Sequence, residues 1–186
     1  MNAAQIELAP LCPWREPQRD LQALFPGATN YTRETRILSG LRPQLQQRLG
    51  RVPTAEENAL LIHRITSSTG RLGSVLVRRV KGEHGGIEIV TATDPHGTVG
   101  AVLVQSQREP PAIAQTISSK EWLAGFTGKD ANSPLRVGHD LPDVVKEARS
   151  SAQAIADGVR SQLVLLSFAE QSLQAPNPGR GAAGKH

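Results

Sequence analysis

The sequence predicts an α+β fold: an antiparallel sheet of about four to five strands, with a long C-terminal helix packed on it and short peripheral helices. Three observations predict it. Segments 60–66, 73–80, 87–93 and 98–106 are rich in Val, Ile, Leu and Thr and are bounded by turn-forming residues. The stretches between them, Ser67 to Gly70, Gly82 to Gly86 and Asp94 to Gly97, are too short for the crossover that parallel strands need, so neighbours must pair antiparallel. Finally, Val144, Ala148, Ala152, Ile155, Val159, Leu163 and Leu166 recur at steps of three and four, which puts them on one face of a helix.

The elements follow in chain order. Pro10, Pro13 and Pro17 make residues 1–18 an irregular N-terminal segment. Asp20 to Phe25 reads as a short helix stopped by Pro26-Gly27. Leu41, Leu45 and Leu49 form one helical stripe that Gly50 ends. Thr54 and Glu57 have the spacing of a capping box, in which hydroxyl and carboxylate satisfy each other's main-chain amides. The four strands come next. Ser118 and Glu121 suggest a second capping box, opening a short helix through Phe126 that Gly128 ends. Residues 19–168 read as one domain. Residues 169–186, with Pro176, Pro178 and three late glycines, read as a disordered tail.

Composition narrows the function classes. With 186 residues, 38% apolar and only 3% aromatic, the chain can bury one core, and that core must be aliphatic. Its 21 Lys+Arg stand against 17 Asp+Glu, mostly dispersed. The sharpest basic cluster, Arg78, Arg79 and Lys81, has no interleaved aromatic for base stacking, which argues against nucleic acid as a partner. The single Cys12 excludes an intrachain disulfide and a cage of several thiolates. The first twenty residues lack the apolar run of about 7–15 residues of a signal peptide. No apolar run approaches the roughly 20 residues of a membrane span. As written the chain is expected to be cytoplasmic, or extracytoplasmic if it is a processed form. His63, His84, His96, His139 and His186 show no ligand spacing, and no catalytic constellation is readable.

One resemblance covers residues 97–166. Its motifs are Gly97 to Val104, Arg108-Glu109-Pro110-Pro111, Glu121-Trp122-Leu123-Ala124-Gly125-Phe126-Thr127-Gly128-Lys129, Leu135 to Asp140, and Asp143-Val144-Val145-Lys146-Glu147-Ala148-Arg149-Ser150-Ser151 leading into the last helix. In this order they resemble the FMN-binding domain family, the flavin-carrying subunits of Rnf-type and sodium-pumping NADH:quinone reductase complexes. In that family the last motif is usually Asp-x-x-Ser-Gly-Ala-Thr, and the threonine hydroxyl is esterified to the FMN phosphate. Here that position is Arg149, so attachment by that chemistry is excluded.

The resemblance implies a cofactor region made by Glu109, Pro110, Pro111, Trp122, Arg149, Ser150 and Ser151. Two functions are compatible with it. One is a non-catalytic interaction or assembly subunit of an electron-transfer system, with no cofactor. The other is an electron-transfer module holding FMN non-covalently, with Arg149, Ser150 and Ser151 at the phosphate and the two prolines as a stiff strand exit beside the ring. Any redox chemistry would then be the flavin's own.

Overall fold

The structure, a computed structural model, describes residues 12–174. Five strands form one sheet in the order of the chain: β1 (Asn30–Ile37), β2 (Ala59–Ser67), β3 (Gly70–Lys81), β4 (Gly86–Thr93) and β5 (Val99–Gln107). Every neighbouring pair is antiparallel, so the predicted meander is present. Four strands match the predicted segments to within a few residues. The fifth, β1, carries no such signal. Its sequence NYTRETRI has only exposed and half-buried positions and none that is buried, as an edge strand with few apolar residues does.

Five α-helices surround the sheet among the described residues. They are α1 (Pro17–Leu24), α2 (Arg42–Leu49), α3 (Pro111–Ile117), α4 (Lys120–Leu123) and α5 (Arg149–Gln174). Helix α1 begins earlier than expected because Pro17 lies at its N-terminal turn, where a missing amide costs nothing. Gly50 ends α2 in the left-handed region at φ 73°. The Thr54–Glu57 capping box exists, with the Thr54 amide donating to Glu57 Oε2 at 2.8 Å, but it caps a 3-10 turn, Ala55–Asn58. The α4 cap is Ser119 rather than Ser118: the Trp122 amide donates to its Oγ at 3.3 Å. A 3-10 turn, Ala124–Phe126, completes that helix.

Two local expectations change. The double proline is not an extended strand exit. Pro110 is extended and Pro111 opens α3, because proline's fixed φ suits a first helical turn. Residues 169–174 continue α5 where a tail was expected, since Ala169 keeps the helix's apolar face buried. The rest of that tail, and residues 1–11, lie outside the described residues.

Helix α5 crosses one face of the sheet. Ile155, Val159 and Leu163 pack on Ile87, Ile89 and Val102, and Leu165 joins Ile62, Leu76 and Leu45. Each such side chain, fully buried, contributes about 1.5–3 kcal/mol before entropy. Gly158 allows close approach: a Cβ there would sit 2.5 Å from Val80 Cγ1. Residues Trp14 to Phe25 cover the other face, packing on Ile65, Val75 and Val90. Arg15 fixes that cover by two hydrogen bonds to Glu88, at 2.7 and 3.1 Å. No described helix is long and apolar enough to cross a membrane.

The linear basic cluster is not a patch. Successive strand residues face opposite sides, so Arg78 reaches Glu57 at 2.8 Å on the α5 side while Arg79 reaches Glu88 at 2.7 Å on the other.

Candidate functional site

Three segments meet where α5 begins: the β3–β4 turn, the exit of β5 and the first turn of the helix. The turn closes through the Gly82 amide, which donates to the Gly85 carbonyl at 2.8 Å. Glu109, just beyond β5, sends a fully buried carboxylate beneath it. The His84 amide donates to both carboxylate oxygens at 3.2 and 3.3 Å, and His84 Nδ1 lies 3.0 Å from Oε2. Ser151, third residue of α5 and also buried, accepts from the Glu83 amide at 2.9 Å. Burial would raise the Glu109 pKa, but the bonds from His84 and Ser151 outweigh it and hold the carboxyl below its usual range. Gly82 is required here: a Cβ on it would lie 2.1 Å from Glu109 Oε1.

The first turn of the helix lies at the surface. Val145 is extended, a 3-10 turn spans Lys146–Ala148, and α5 continues from Arg149. The Ala148 amide donates to the Val145 carbonyl at 2.9 Å and the Arg149 amide to Lys146. The first-turn amides that remain are those of Lys146 and Glu147. Arg149 Nη2 donates to Asp143 Oδ1 at 2.6 Å, with both side chains more than half exposed. Asp143, Lys146, Glu147 and Arg149 are all exposed, and their formal charges cancel.

Trp122 is buried, meets Phe126 edge to face at 5.3 Å, and donates its indole N–H to the Pro142 carbonyl at 3.2 Å. It is a core residue that ties α4 to the loop before α5. That loop approaches closely enough that a Cβ on Gly125 would sit 2.5 Å from Pro142 Cδ.

Of the residues named from sequence, the structure brings Glu109 and Ser151 into one cluster, as buried framework. Arg149 and Ser150 lie on the exposed side of the same helix start. Pro110 and Pro111 are exposed where α3 begins. The sequence places Gly82 and His84 only in a strand-connecting turn, with no sign that they complete the Glu109 cluster. The available signal was a histidine between closely spaced glycines, which is also what any open hairpin shows.

At position 149, where the resemblance puts the attachment point, the side chain is a guanidinium bound to Asp143, which cannot form a phosphate ester, and Glu147 stands where the resembling family has glycine. Of the groups the resemblance would place at a phosphate, Ser151 is spent on Glu83 and Glu109, Ser150 is exposed, and the exposed charges around Arg149 sum to zero.

No family model matches the chain, and no curated protein matches it. Six solved chains do. Among them is the crystal structure of Shewanella oneidensis NqrC, with a TM-score of 0.58 at 15% sequence identity, covering 84% of this chain and 88% of that one. At that identity the likeness is one of fold. The fold is NqrC-like, which is in keeping with the family resemblance that the order of motifs suggested.

Proposed function

We propose that this protein is an FMN-binding-domain-like subunit without covalent flavin, serving an electron-transfer system as a non-catalytic interaction or assembly component. Residues 19–168 are the unit that carries this role. The reading is supported by a fold like that of NqrC together with a helix start that offers no attachment point. The single observation that carries it is Arg149, which stands at the attachment position and is ion-paired with Asp143 at 2.6 Å. Its partners would be other subunits of such a complex.

The test is optical. Protein purified from its own cells is expected to be colourless, and titration with FMN to leave its fluorescence unquenched up to about 1 mM, weaker than about −4 kcal/mol of binding. A yellow, stoichiometric preparation would overturn the reading. So would micromolar FMN affinity lost in Arg149→Ala, which would establish the non-covalent module instead.

A further inference from the structure

Strand β3 outruns one of its neighbours. Its register with β2 ends at His63↔Val75, whereas its register with β4 continues to Lys81↔Gly86. Antiparallel pairing decides which main-chain groups lie on the side that β2 has left. The Gly82 amide donates to the Gly85 carbonyl, so these two form a hydrogen-bonded pair. Every second residue back along β3, Val80 and then Arg78, turns its N–H and C=O to β4 in the same way. Arg79 and Lys81 turn theirs to the opposite side, where no described strand pairs with them. Two amides and two carbonyls are left there with the spacing of half a ladder.

The two faces of the sheet differ beside this open edge. On the α5 side, a groove of about 260 Å³ follows residues 78–81, and its apolar part is lined by Val80, Ala154 and Gly158. The charges around it are Arg51 and Arg78 against Glu57 and Asp157, which cancel, and Glu57 accepts from both guanidiniums. The groove therefore suits an uncharged side chain of modest size. On the other face stand Arg79 and Lys81, since successive strand residues alternate. Arg79 gives Nη2 to its cross-strand neighbour Glu88 and is still more than half exposed. Glu88 is already filled by further bonds from Arg15 and Gln105. Lys81 is exposed and lies opposite Gly86, which has no side chain to meet it. A strand added at this edge would thus meet two cations, two residues apart, on one face and a neutral groove between them on the other. A second copy does not suit it, because self-pairing would set Arg79 and Lys81 against the same cations.

We infer that this edge takes an extended segment of a partner protein as an added strand, with acidic side chains opposite Arg79 and Lys81 and a small apolar side chain between them in the groove. The inference gives the interaction role proposed above a surface and rests on that reading.

Amide exchange and chemical shifts of the isotope-labelled full chain test it. In dilute free protein the Arg79 and Lys81 amides are expected to exchange quickly, unlike those of Arg78 and Val80, which bond β4. The blocked peptide Ser-Glu-Val-Glu-Val-Glu-Ser should protect both amides, shift the resonances of residues 154–158 and bind with a dissociation constant below about 1 mM. Methylating its glutamate nitrogens, which face β3 in this pairing, should weaken binding at least about tenfold. Exchanging its glutamates for lysines should do the same, by about tenfold. Lys81→Glu reverses one cation, and Ala154→Leu fills the groove; each should weaken binding several-fold. No change at about 5 mM acidic peptide, equal binding of the methylated or the lysine peptide, or wild-type affinity in both variants overturns the inference. Protection of Arg79 and Lys81 without peptide also overturns it. If independent of concentration, that protection means the chain covers its own edge, and if it grows with concentration, that a second copy does. A yellow, stoichiometric preparation overturns the flavin-free reading whatever the peptide does, whereas colourless protein that ignores the peptide overturns this edge alone.

Discussion

Two ion-pair systems border α5, and they differ in what surrounds them. Beside its fourth turn, where Arg51 bonds Ser161, Glu57 is wholly buried and held by Arg51 and Arg78 at 2.7 and 2.8 Å. At its start, Arg149 and Asp143 pair at 2.6 Å with more than half of each side chain in water. The shorter contact is the weaker one energetically, because an exposed pair is screened and costs side-chain entropy, leaving about 0–1 kcal/mol. Breaking a buried pair strands charge in a medium that cannot solvate it. The fold therefore depends on a carboxylate in an unremarkable loop, and depends little on the position where the resembling family attaches its cofactor.

The strongest way to break this comparison is Glu57→Gln. It leaves Arg51 and Arg78 without a counter-charge and should lower unfolding free energy by about 3–4 kcal/mol, read from denaturant midpoints at neutral pH. Arg51, part exposed, keeps the loss from being larger. Acid titration gives the same answer from the other side. Burial pushes the Glu57 pKa up, but Arg51, the Thr54 amide and Arg78 outweigh burial and hold it at about 2 against an ordinary 4.5. A depressed carboxylate stabilises above its unfolded pKa, so this contribution is intact above pH 4.5 and lost as pH falls toward 2. Glu57→Gln should flatten that part of the acid limb, leaving the part due to Glu88, also held at about 2.

A buried group that sheds its charge extends the comparison to the other face of the sheet. His63 is buried between Trp14 and Tyr31, with ring centroids 5.2 and 5.8 Å away. Burial, with help from Arg33, pushes its pKa down to about 4 from 6.5. Between those values the unfolded chain takes up a proton that the folded chain refuses, so stability falls as pH drops from 6.5 to 4. The loss should approach about 3 kcal/mol. His63→Leu should abolish it, and an unchanged slope in that variant would remove His63 as its source.

How much of this was readable depends on range along the chain. The strands and α5 announce themselves through periods of two and of three to four, because one apolar face must be buried. Edge strand β1 has no such face, and α3 was hidden by reading Pro110-Pro111 as stiffness rather than as a helix start. The Thr54–Glu57 cap was legible because its partners are three residues apart. The bonds from Arg51 and Arg78 that make Glu57 structural were not, since Arg78 is 21 residues away in sequence. The Glu109 cluster was half legible: resemblance named Glu109 and Ser151, but the bond from the Glu83 amide to Ser151 spans 68 residues and that from His84 to Glu109 spans 25. These bonds also make them framework rather than ligand contacts.

That cluster gives a smaller, steric test. Gly82→Ala would place a methyl group 2.1 Å from Glu109 Oε1 and 2.7 Å from Ile87 Cδ1. The turn must shift to admit it, at about 2 kcal/mol. Amide exchange at His84 should accelerate, because the shift lengthens its bonds to Glu109. Normal exchange there with normal stability would mean the turn moves freely and the cluster is no constraint on the start of α5.

The smallest effect is the most pointed. Arg149→Ala should change stability by less than about 0.5 kcal/mol, and raising salt should shrink even that. The 3-10 turn and α5 need nothing from the guanidinium, since the Arg149 amide bonds Lys146 and the burial of Ala148, Ala152 and Ile155 sets the helix in place. A loss above about 1 kcal/mol would mean the Asp143 pair holds the loop from Gly138 onto the helix, and the contrast between the two ion-pair systems would disappear. A null result leaves position 149 structurally unconstrained, so the residue found there is free to follow whatever binding the surface performs.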